Sequence, residues 1–133
     1  MNLPININDL VTARTVEWER LEFKAGWNPE AVLHTMCAFA NDFHNLGGGY
    51  IIIGVKEDNG RPMLPPVGLQ VTQIDAIQKE IVELGHRMIP YYHPIIAPFE
   101  VDEKHILVLW ATGGQTRPYR APVSLASFCR KMP

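Results

Sequence analysis

The sequence predicts an α+β domain in which two main helices pack on a mixed, largely antiparallel sheet. Two segments repeat their apolar residues at helical spacing, while the segments around them show the alternation or the continuous apolar runs of strands. The last two strand-like segments are separated by only a short turn, which predicts an antiparallel hairpin. Because the 133 residues are 47% hydrophobic and 20% charged, they suffice for one core of this kind.

The first predicted elements are a strand over residues 16–24 and a helix over residues 29–44. The strand segment places aromatic and branched side chains in near alternation with charged ones. Asn28 and Pro29 supply a capping side chain and a proline suited to the first helical turn. The asparagine and glycines within residues 45–49 favour the left-handed backbone that closes a helix, so we expect the helix to end there.

A central strand and a tight turn follow this helix. Residues 50–55 are apolar at both odd and even positions, which is typical of a strand buried on both faces of a sheet. Residues 57–60 end in Asn-Gly, the pair that accepts positive φ in a tight hairpin turn. We therefore expect a hairpin partner over residues 61–64, which the nearby prolines keep short.

The second helix is predicted to begin near Thr72 and to end at Pro90. Thr72 and Asp75 have the spacing of a capping box, and large aliphatic side chains continue a helical stripe as far as the proline. Residues 93–101 and 105–112 then form the two strands of the antiparallel hairpin. The resulting order is strand, helix, strand, strand, helix, strand, strand, which places helices on a partly antiparallel sheet.

Composition and local signals indicate a water-soluble, cytoplasmic domain. The longest apolar runs fall far below the roughly 20 residues that a membrane helix needs, so we expect no membrane partner. The N-terminus lacks the basic flank and apolar stretch of a signal peptide. Cys37 and Cys129 match no metal or redox spacing and suit a reducing compartment.

The charges are unevenly distributed along the chain. The formal net charge of -2 argues against a protein that binds nucleic acid through bulk positive charge. Residues 1–103 carry 7 basic and 14 acidic side chains, whereas residues 104–133 carry 5 basic side chains and no acidic one. The C-terminal segment therefore suits either an acidic partner or the acidic remainder of the same fold.

The first strand carries a cluster of acids at Glu17, Glu19 and Glu22. Carboxylates that converge on one point need a proton or a divalent cation, so such a group is either a metal site or a set of solvated side chains. In a regular strand Glu22 points to the face opposite Glu17, and the two converge only across a bulge or bend. From the residues alone, an exposed acidic face is the simpler interpretation.

Aromatic and basic side chains supply candidates for contact with nucleic acid. Trp27, in a loop, is the best candidate for stacking on a base, although tryptophans in a domain of this size usually belong to the core. Arg117 and Arg120 can contact phosphate through their guanidinium groups or lie in a solvated loop. The glycines within residues 47–54 run from helix to strand, the reverse of a phosphate loop, so we expect no ATP site in this segment.

Four ordered motifs together resemble the Schlafen AlbA-type domain, also called the divergent AAA-type domain. They are residues 17–24, 38–41, 47–55 and 117–118. The resemblance implies an α+β nucleic-acid-binding domain, found in bacteria at the front of transcriptional regulators and usually followed by domains that include a winged helix. We therefore expect one domain over residues 1–133, with an N-terminal extension over residues 1–15 and further C-terminal domains in a longer parent protein.

The same resemblance implies a catalytic alternative. In animal Schlafen nucleases, three carboxylates hold a divalent metal at a site that cleaves structured RNA. By motif, these carboxylates fall on Glu17, Glu22 and Glu57, with Asp58 adjacent to the third. Carboxylate oxygens suit Mg²⁺ or Mn²⁺, either of which can polarise a phosphate and activate water.

Three functional hypotheses follow. The leading one is a nucleic-acid-binding, and specifically DNA-binding, module of a transcriptional regulator that contacts DNA or RNA through Lys24, Trp27, Arg117 and Arg120 and needs no cofactor. The alternative is a metal-dependent endoribonuclease that uses the three carboxylates and Mg²⁺ or Mn²⁺. The third is a dimerisation or protein-interaction module, since strand edges and two apolar helices offer surface for a homodimer.

Overall fold

Eight elements make up the part of the chain described by a computed structural model, namely residues 21–42, 47–114 and 117–123. In chain order they are β1 (Leu21–Lys24), α1 (Pro29–Asn41), β2 (Gly49–Ile53), β3 (Glu57–Asp58), β4 (Arg61–Pro62), α2 (Val71–Arg87), β5 (Ile95–Val101) and β6 (Lys104–Ala111). The order confirms the predicted α+β class. Residues 16–20 of the predicted first strand lie outside the described residues.

The four longer strands form one mixed sheet in the order β1-β2-β6-β5. β1 pairs with β2 in parallel, and α1 is the crossover between them. The other two pairings, β2 with β6 and β5 with β6, are antiparallel, so the sheet is largely antiparallel as predicted. Ile51, Ile52 and Ile53 are fully buried at the centre of this sheet, which confirms the predicted central strand.

Both helices pack on the same face of the sheet. α1 and α2 bury one apolar stripe each against the side chains of Ile51, Ile53, Leu107 and Leu109. A second buried cluster lies on the opposite face of the sheet. It consists of Leu21, Phe23, Ile52, Val55, Ile106 and Val108. Leu21 and Phe23 belong to β1, where they alternate with Glu22 and Lys24. Glu22 and Lys24 therefore share the face on which the helices lie.

Among the described helices, neither is both long and apolar enough to cross a membrane.

The start of α1 was predicted correctly and its end was not. Asn28 caps the helix, because its Oδ1 accepts a hydrogen bond from the backbone N–H of Ala31 at 3.2 Å. The helix ends at Asn41 rather than at residue 44, since Asp42 adopts the left-handed conformation with φ 40°. Aspartate tolerates this conformation through local hydrogen bonding, and here its Oδ2 accepts from the backbone N–H of Gly47 at 3.0 Å.

The predicted capping box of α2 was wrong. The helix begins at Val71, so Thr72 is already inside it, and the side chain of Gln73 accepts a hydrogen bond from the backbone N–H of Gln70 at 3.0 Å. Glutamine at this third helical position does what Asp75 was expected to do, but two residues earlier. At the other end the helix stops at Arg87, because the next residue, Met88, is extended.

Both predicted hairpin turns are present, although the strand after Asn59-Gly60 pairs with β3 and not with the central strand. β5 and β6 pair antiparallel across a turn in which Asp102 and Glu103 have φ of 51° and 64°. β3 and β4 pair across Asn59 and Gly60, with φ of 53° and 81°. Two consecutive residues with positive φ are typical of the type I′ turn, whose backbone twist matches the right-handed twist of the two strands that it joins. The small β3–β4 ribbon forms its own two-stranded sheet, so the predicted partner strand does not extend the main sheet.

Candidate nucleic-acid interface

The segment that carries Arg117 and Arg120 is fixed against the C-terminal end of α1 by Asn41. The Nδ2 of Asn41 donates to the carbonyl oxygen of Tyr119 at 3.1 Å, and its Oδ1 accepts from the backbone N–H of Tyr119 at 2.6 Å. The Sγ of Cys37, one turn earlier, donates to the same carbonyl at 3.4 Å, and burial raises the pKa of this thiol. With the Tyr119 ring buried as well, the backbone of this segment has one defined position.

Arg117 binds the end of the same helix. Its Nη1 donates to the carbonyl oxygens of Asn41 at 3.2 Å and of Asp42 at 3.0 Å. Carbonyls at a helix C-terminus lack intrahelical partners and carry partial negative charge, so a guanidinium there is stabilising. Arg117, predicted as a phosphate contact, thus has a structural contact that the sequence did not indicate.

Arg120 is placed differently, with its side chain exposed to solvent. Its backbone pairs with that of Ile89 through two hydrogen bonds of 2.8 and 2.9 Å, forming an antiparallel bridge next to the end of α2. Within residues 21–42, 47–114 and 117–123, no hydrogen bond or ion pair holds its guanidinium. The group is therefore presented outward from a fixed backbone.

Lys24 lies at the end of β1, beside the acid two residues before it. Its Nζ is 3.3 Å from Oε2 of Glu22, and the side chains of Lys24 and Glu22 are 27% and 34% exposed. The same carboxylate oxygen accepts a hydrogen bond from Oγ1 of Thr35 on α1 at 3.0 Å. The positive charge of Lys24 is thus partly balanced within the fold.

Trp27 connects the loop after β1 to α2. Its Nε1 donates to Oε2 of Glu80 at 2.8 Å, and the half-buried ring packs against the main core cluster. This contact supports the interpretation of a core-edge residue, while stacking on a base stays a prediction.

The four predicted contact residues do not converge on one point. Lys24 and Trp27 lie before the N-terminus of α1, whereas Arg117 contacts its C-terminus. A helix of 13 residues separates these ends by about 20 Å at about 1.5 Å per residue. Arg117 and Arg120, in contrast, share one segment.

The carboxylates of the nuclease hypothesis are only partly described. Glu57 is exposed in β3, where its Oε2 accepts from the backbone N–H of Gly60 at 2.7 Å, and Glu22 contacts Lys24 and Thr35. Glu17 lies outside the described residues. Across the described part of the chain, no group of three His, Cys, Asp or Glu side chains could hold a metal ion. The three-carboxylate site therefore stays a prediction.

Sequence reasoning missed a cluster of rings at the end of α2. The ring of His86 lies 5.4 Å from that of Tyr91 and 5.3 Å from that of His93, measured between centroids. The signal was present in the run Tyr-Tyr-His that follows Pro90 directly after the helix. The exposure of the first tyrosine and the contacts of its ring could not be known from this run alone.

Comparisons with known proteins identify relatives by family and by fold. The family model described as Schlafen, AlbA_2 matches residues 17–131. No curated protein matches the chain. Its structure is similar to the solution structure of the N-terminal domain of a Nitrosomonas europaea protein whose name relates it to the ATP-dependent DNA helicase RecG, with 25% identity and a TM-score of 0.57 over 72% of this chain and 63% of that one.

A second similar structure is that of the DIP2311 protein from Corynebacterium diphtheriae. The identity is 21% and the TM-score 0.50, over 76% of this chain. At this identity the likeness concerns the fold alone. The chain covers only 19% of the Corynebacterium protein and less than two thirds of the Nitrosomonas domain.

Proposed function

The chain belongs to the Schlafen AlbA_2 family, and on that premise we propose that it is a nucleic-acid-binding module of a cytoplasmic transcriptional regulator, with DNA as the expected ligand. The name of the similar Nitrosomonas protein, which relates it to a DNA helicase, supports the same class of ligand. The module binds through individual basic side chains rather than bulk charge, since the net charge is -2.

The observation that carries this proposal is the presentation of Arg120. Its guanidinium is exposed on a segment whose backbone is fixed by Asn41 on one side and by Ile89 on the other. A guanidinium offers a planar set of donors that matches phosphate oxygens, and fixing its backbone lowers the entropy lost on binding. Arg117 contributes by holding the segment and by adding positive charge.

The environment of Glu22 bears on the endoribonuclease alternative. Its Oε2 is engaged by both Lys24 and Thr35, which gives this oxygen partners within the protein. A carboxylate has a second oxygen, so these contacts leave Glu22 able to bind a cation through Oε1. The endoribonuclease hypothesis is therefore kept as an outcome of the test.

The test is fluorescence anisotropy of a labelled DNA duplex and a labelled structured RNA, each titrated with the protein at two salt concentrations, in Mn²⁺ and in EDTA. We expect salt-dependent binding that is constant in time. Arg120→Ala should weaken it and lower the slope of log affinity against log salt by about 0.9, the value for one lost phosphate contact. Lys79→Ala is the matched control, because Lys79 is an exposed cation that is paired with Asp75 at 3.3 Å.

Four results would decide against the proposal or a part of it. An absence of binding to both ligands removes it. An equal effect of the Lys79 and Arg120 variants removes the assignment of Arg120. Anisotropy that falls with time only in Mn²⁺, and no longer does so in Glu22→Gln, establishes the endoribonuclease instead. A dimer detected by light scattering, without nucleic-acid binding, would support the interaction module.

A further inference from the structure

The C-terminal end of α2 carries three exposed side-chain rings, those of His86, Tyr91 and His93, which we call the ring cluster. His86 contacts both of the others, with centroid distances of 5.4 Å to Tyr91 and 5.3 Å to His93. The residue Tyr91 is 72% exposed. Isolated exposed aromatic residues are ordinary, but three rings joined through His86 form a continuous surface.

The backbone beneath the ring cluster is rigidly held. Tyr92 is buried, its hydroxyl donates to the carbonyl of Thr112 at 2.5 Å, and its N–H donates to the carbonyl of Gly85 at 3.1 Å. The approach is so close that a Cβ on Gly85 would lie 1.9 Å from the carbonyl oxygen of Tyr92. Met88 is also fully buried. The rings are therefore presented from a fixed support, which lowers the entropic cost of binding a ligand.

Basic groups flank the ring cluster. Ile89, two residues before Tyr91, forms the backbone bridge with Arg120, and Arg87 lies in the last turn of α2. The acid on α2 next to this turn is Glu83, one turn earlier. A rim that carries two arginine side chains suits an anionic ligand better than the apolar surface of another protein.

From these contacts we propose that the ring cluster stacks on unpaired bases of a nucleic acid while Arg120 contacts the neighbouring phosphate. This inference rests on the proposed function and narrows the ligand to single-stranded segments, whether of DNA or of RNA. Every base has a π-face, so stacking of this kind tolerates any sequence. In a duplex those faces are covered by neighbouring base pairs and cannot reach the ring of Tyr91.

The test compares a short fluorescein-labelled single strand with a duplex of the same sequence, using the full chain. Tyr91→Ala should weaken single-strand binding by about tenfold, within the range measured for loss of one base–aromatic stack. Tyr91→Phe keeps the ring and should retain wild-type affinity, and His86→Ala should weaken binding in the same direction. Val71→Ala, which truncates an exposed side chain at the other end of α2, is the control and should change nothing. Affinity for the duplex should be the same for all four variants.

A second readout separates stacking from a general loss of structure. A 2-aminopurine base in the single strand should lose fluorescence on binding wild type and Tyr91→Phe, and should stay bright with Tyr91→Ala. Because Tyr91 is largely exposed, the unfolding midpoint of Tyr91→Ala should match that of wild type.

The outcomes distinguish this inference from the proposed function. If Tyr91→Ala binds the single strand like wild type while Arg120→Ala weakens both ligands, the ring cluster is not the site and the proposed function stands. If Tyr91→Ala weakens duplex and single strand equally, stacking on unpaired bases is wrong. If wild type binds neither ligand, both proposals fall together.

Discussion

The side chain of Asn41 hydrogen-bonds both backbone polar groups of Tyr119, although 78 residues separate them. An amide is suited to this because it carries a donor and an acceptor side by side, matching the N–H and C=O of one residue. The contact joins the last turn of α1 to the basic segment that bears Arg117 and Arg120. Residues 38–41 and 117–118, two of the motifs on which the family resemblance rests, are also in direct contact, since Arg117 donates to the carbonyl oxygen of Asn41.

Asn41→Ala should lower the free energy of unfolding by about 2 kcal/mol, since it removes two hydrogen bonds and leaves the backbone polar groups of the buried Tyr119 without those partners. Urea denaturation followed by circular dichroism measures this. Asn28→Ala, which removes a single capping hydrogen bond to Ala31, is the comparison and should cost about 1 kcal/mol. A loss for Asn41→Ala no larger than for Asn28→Ala would contradict the double contact.

Arg117 and Arg120 should separate into a structural and a binding residue. Arg117→Ala removes hydrogen bonds to two carbonyls at the end of α1 and should reduce stability by about 1 kcal/mol. Arg120→Ala removes an exposed side chain and should leave stability within about 0.5 kcal/mol of wild type. Thermal unfolding of the two variants beside wild type checks this, and equal melting temperatures for both variants would refute the distinction.

Gly85→Ala should be strongly destabilising, by about 3 kcal/mol or more, although alanine favours helix by about 1 kcal/mol over glycine. The reason is the backbone carbonyl of Tyr92, which lies 1.9 Å from where the Cβ would be. Gly26→Ala is the control, because nothing lies within 4 Å of its added Cβ. Chemical denaturation of both variants is the measurement. If Gly85→Ala were as stable as Gly26→Ala, the close approach of Gly85 to the Tyr92 carbonyl would not constrain this position.

The Tyr92 hydroxyl should make stability depend on alkaline pH. The pKa of Tyr92 is raised from 10.0 to about 12, chiefly by burial; the hydrogen bond to Thr112 acts in the opposite direction and the nearby Tyr119 in the same one. The unfolded chain therefore loses this proton near pH 10 and the folded chain only near pH 12. Between these pH values the unfolded chain is ionised at this group and the folded chain is not, which favours unfolding. The contribution of Tyr92 to the free energy of unfolding is therefore full below pH 10 and is lost as pH rises through 12. The loss is at most about 1.4 kcal/mol per pH unit.

Tyr92→Phe isolates this effect. At neutral pH the variant should be less stable by about 1 kcal/mol, because the hydrogen bond to the Thr112 carbonyl is lost. Phenylalanine does not ionise, so the difference from wild type should narrow above pH 10. Urea unfolding at several pH values from neutral to 11 checks this, and a constant difference over that range would contradict the shifted pKa.

Local sequence patterns determined the elements of this fold. Alternation, helical periodicity and the cap at Asn28 involve residues within a few positions of one another, and each element that they predicted is present in the described residues. The Asn59-Gly60 turn followed from a residue pair that accepts positive φ, and the β5–β6 hairpin followed from the short connection between two strand-like segments. The order of these elements was enough to predict a mixed sheet with two helices packed on it. Few arrangements bury the apolar stripes of both helices together with a central strand.

Tertiary structure decided the ends of the helices and the environment of the candidate site. α1 stops at Asn41 where Asp42 turns left-handed, and Arg117 contacts the carbonyls that this stop leaves exposed. The pairing of Lys24 with Glu22 and of Trp27 with Glu80, and the grouping of rings around His86, could not be read from residue types. A side chain's type fixes the hydrogen bonds and contacts that it can make, but its partner is whichever group the packed core brings within reach.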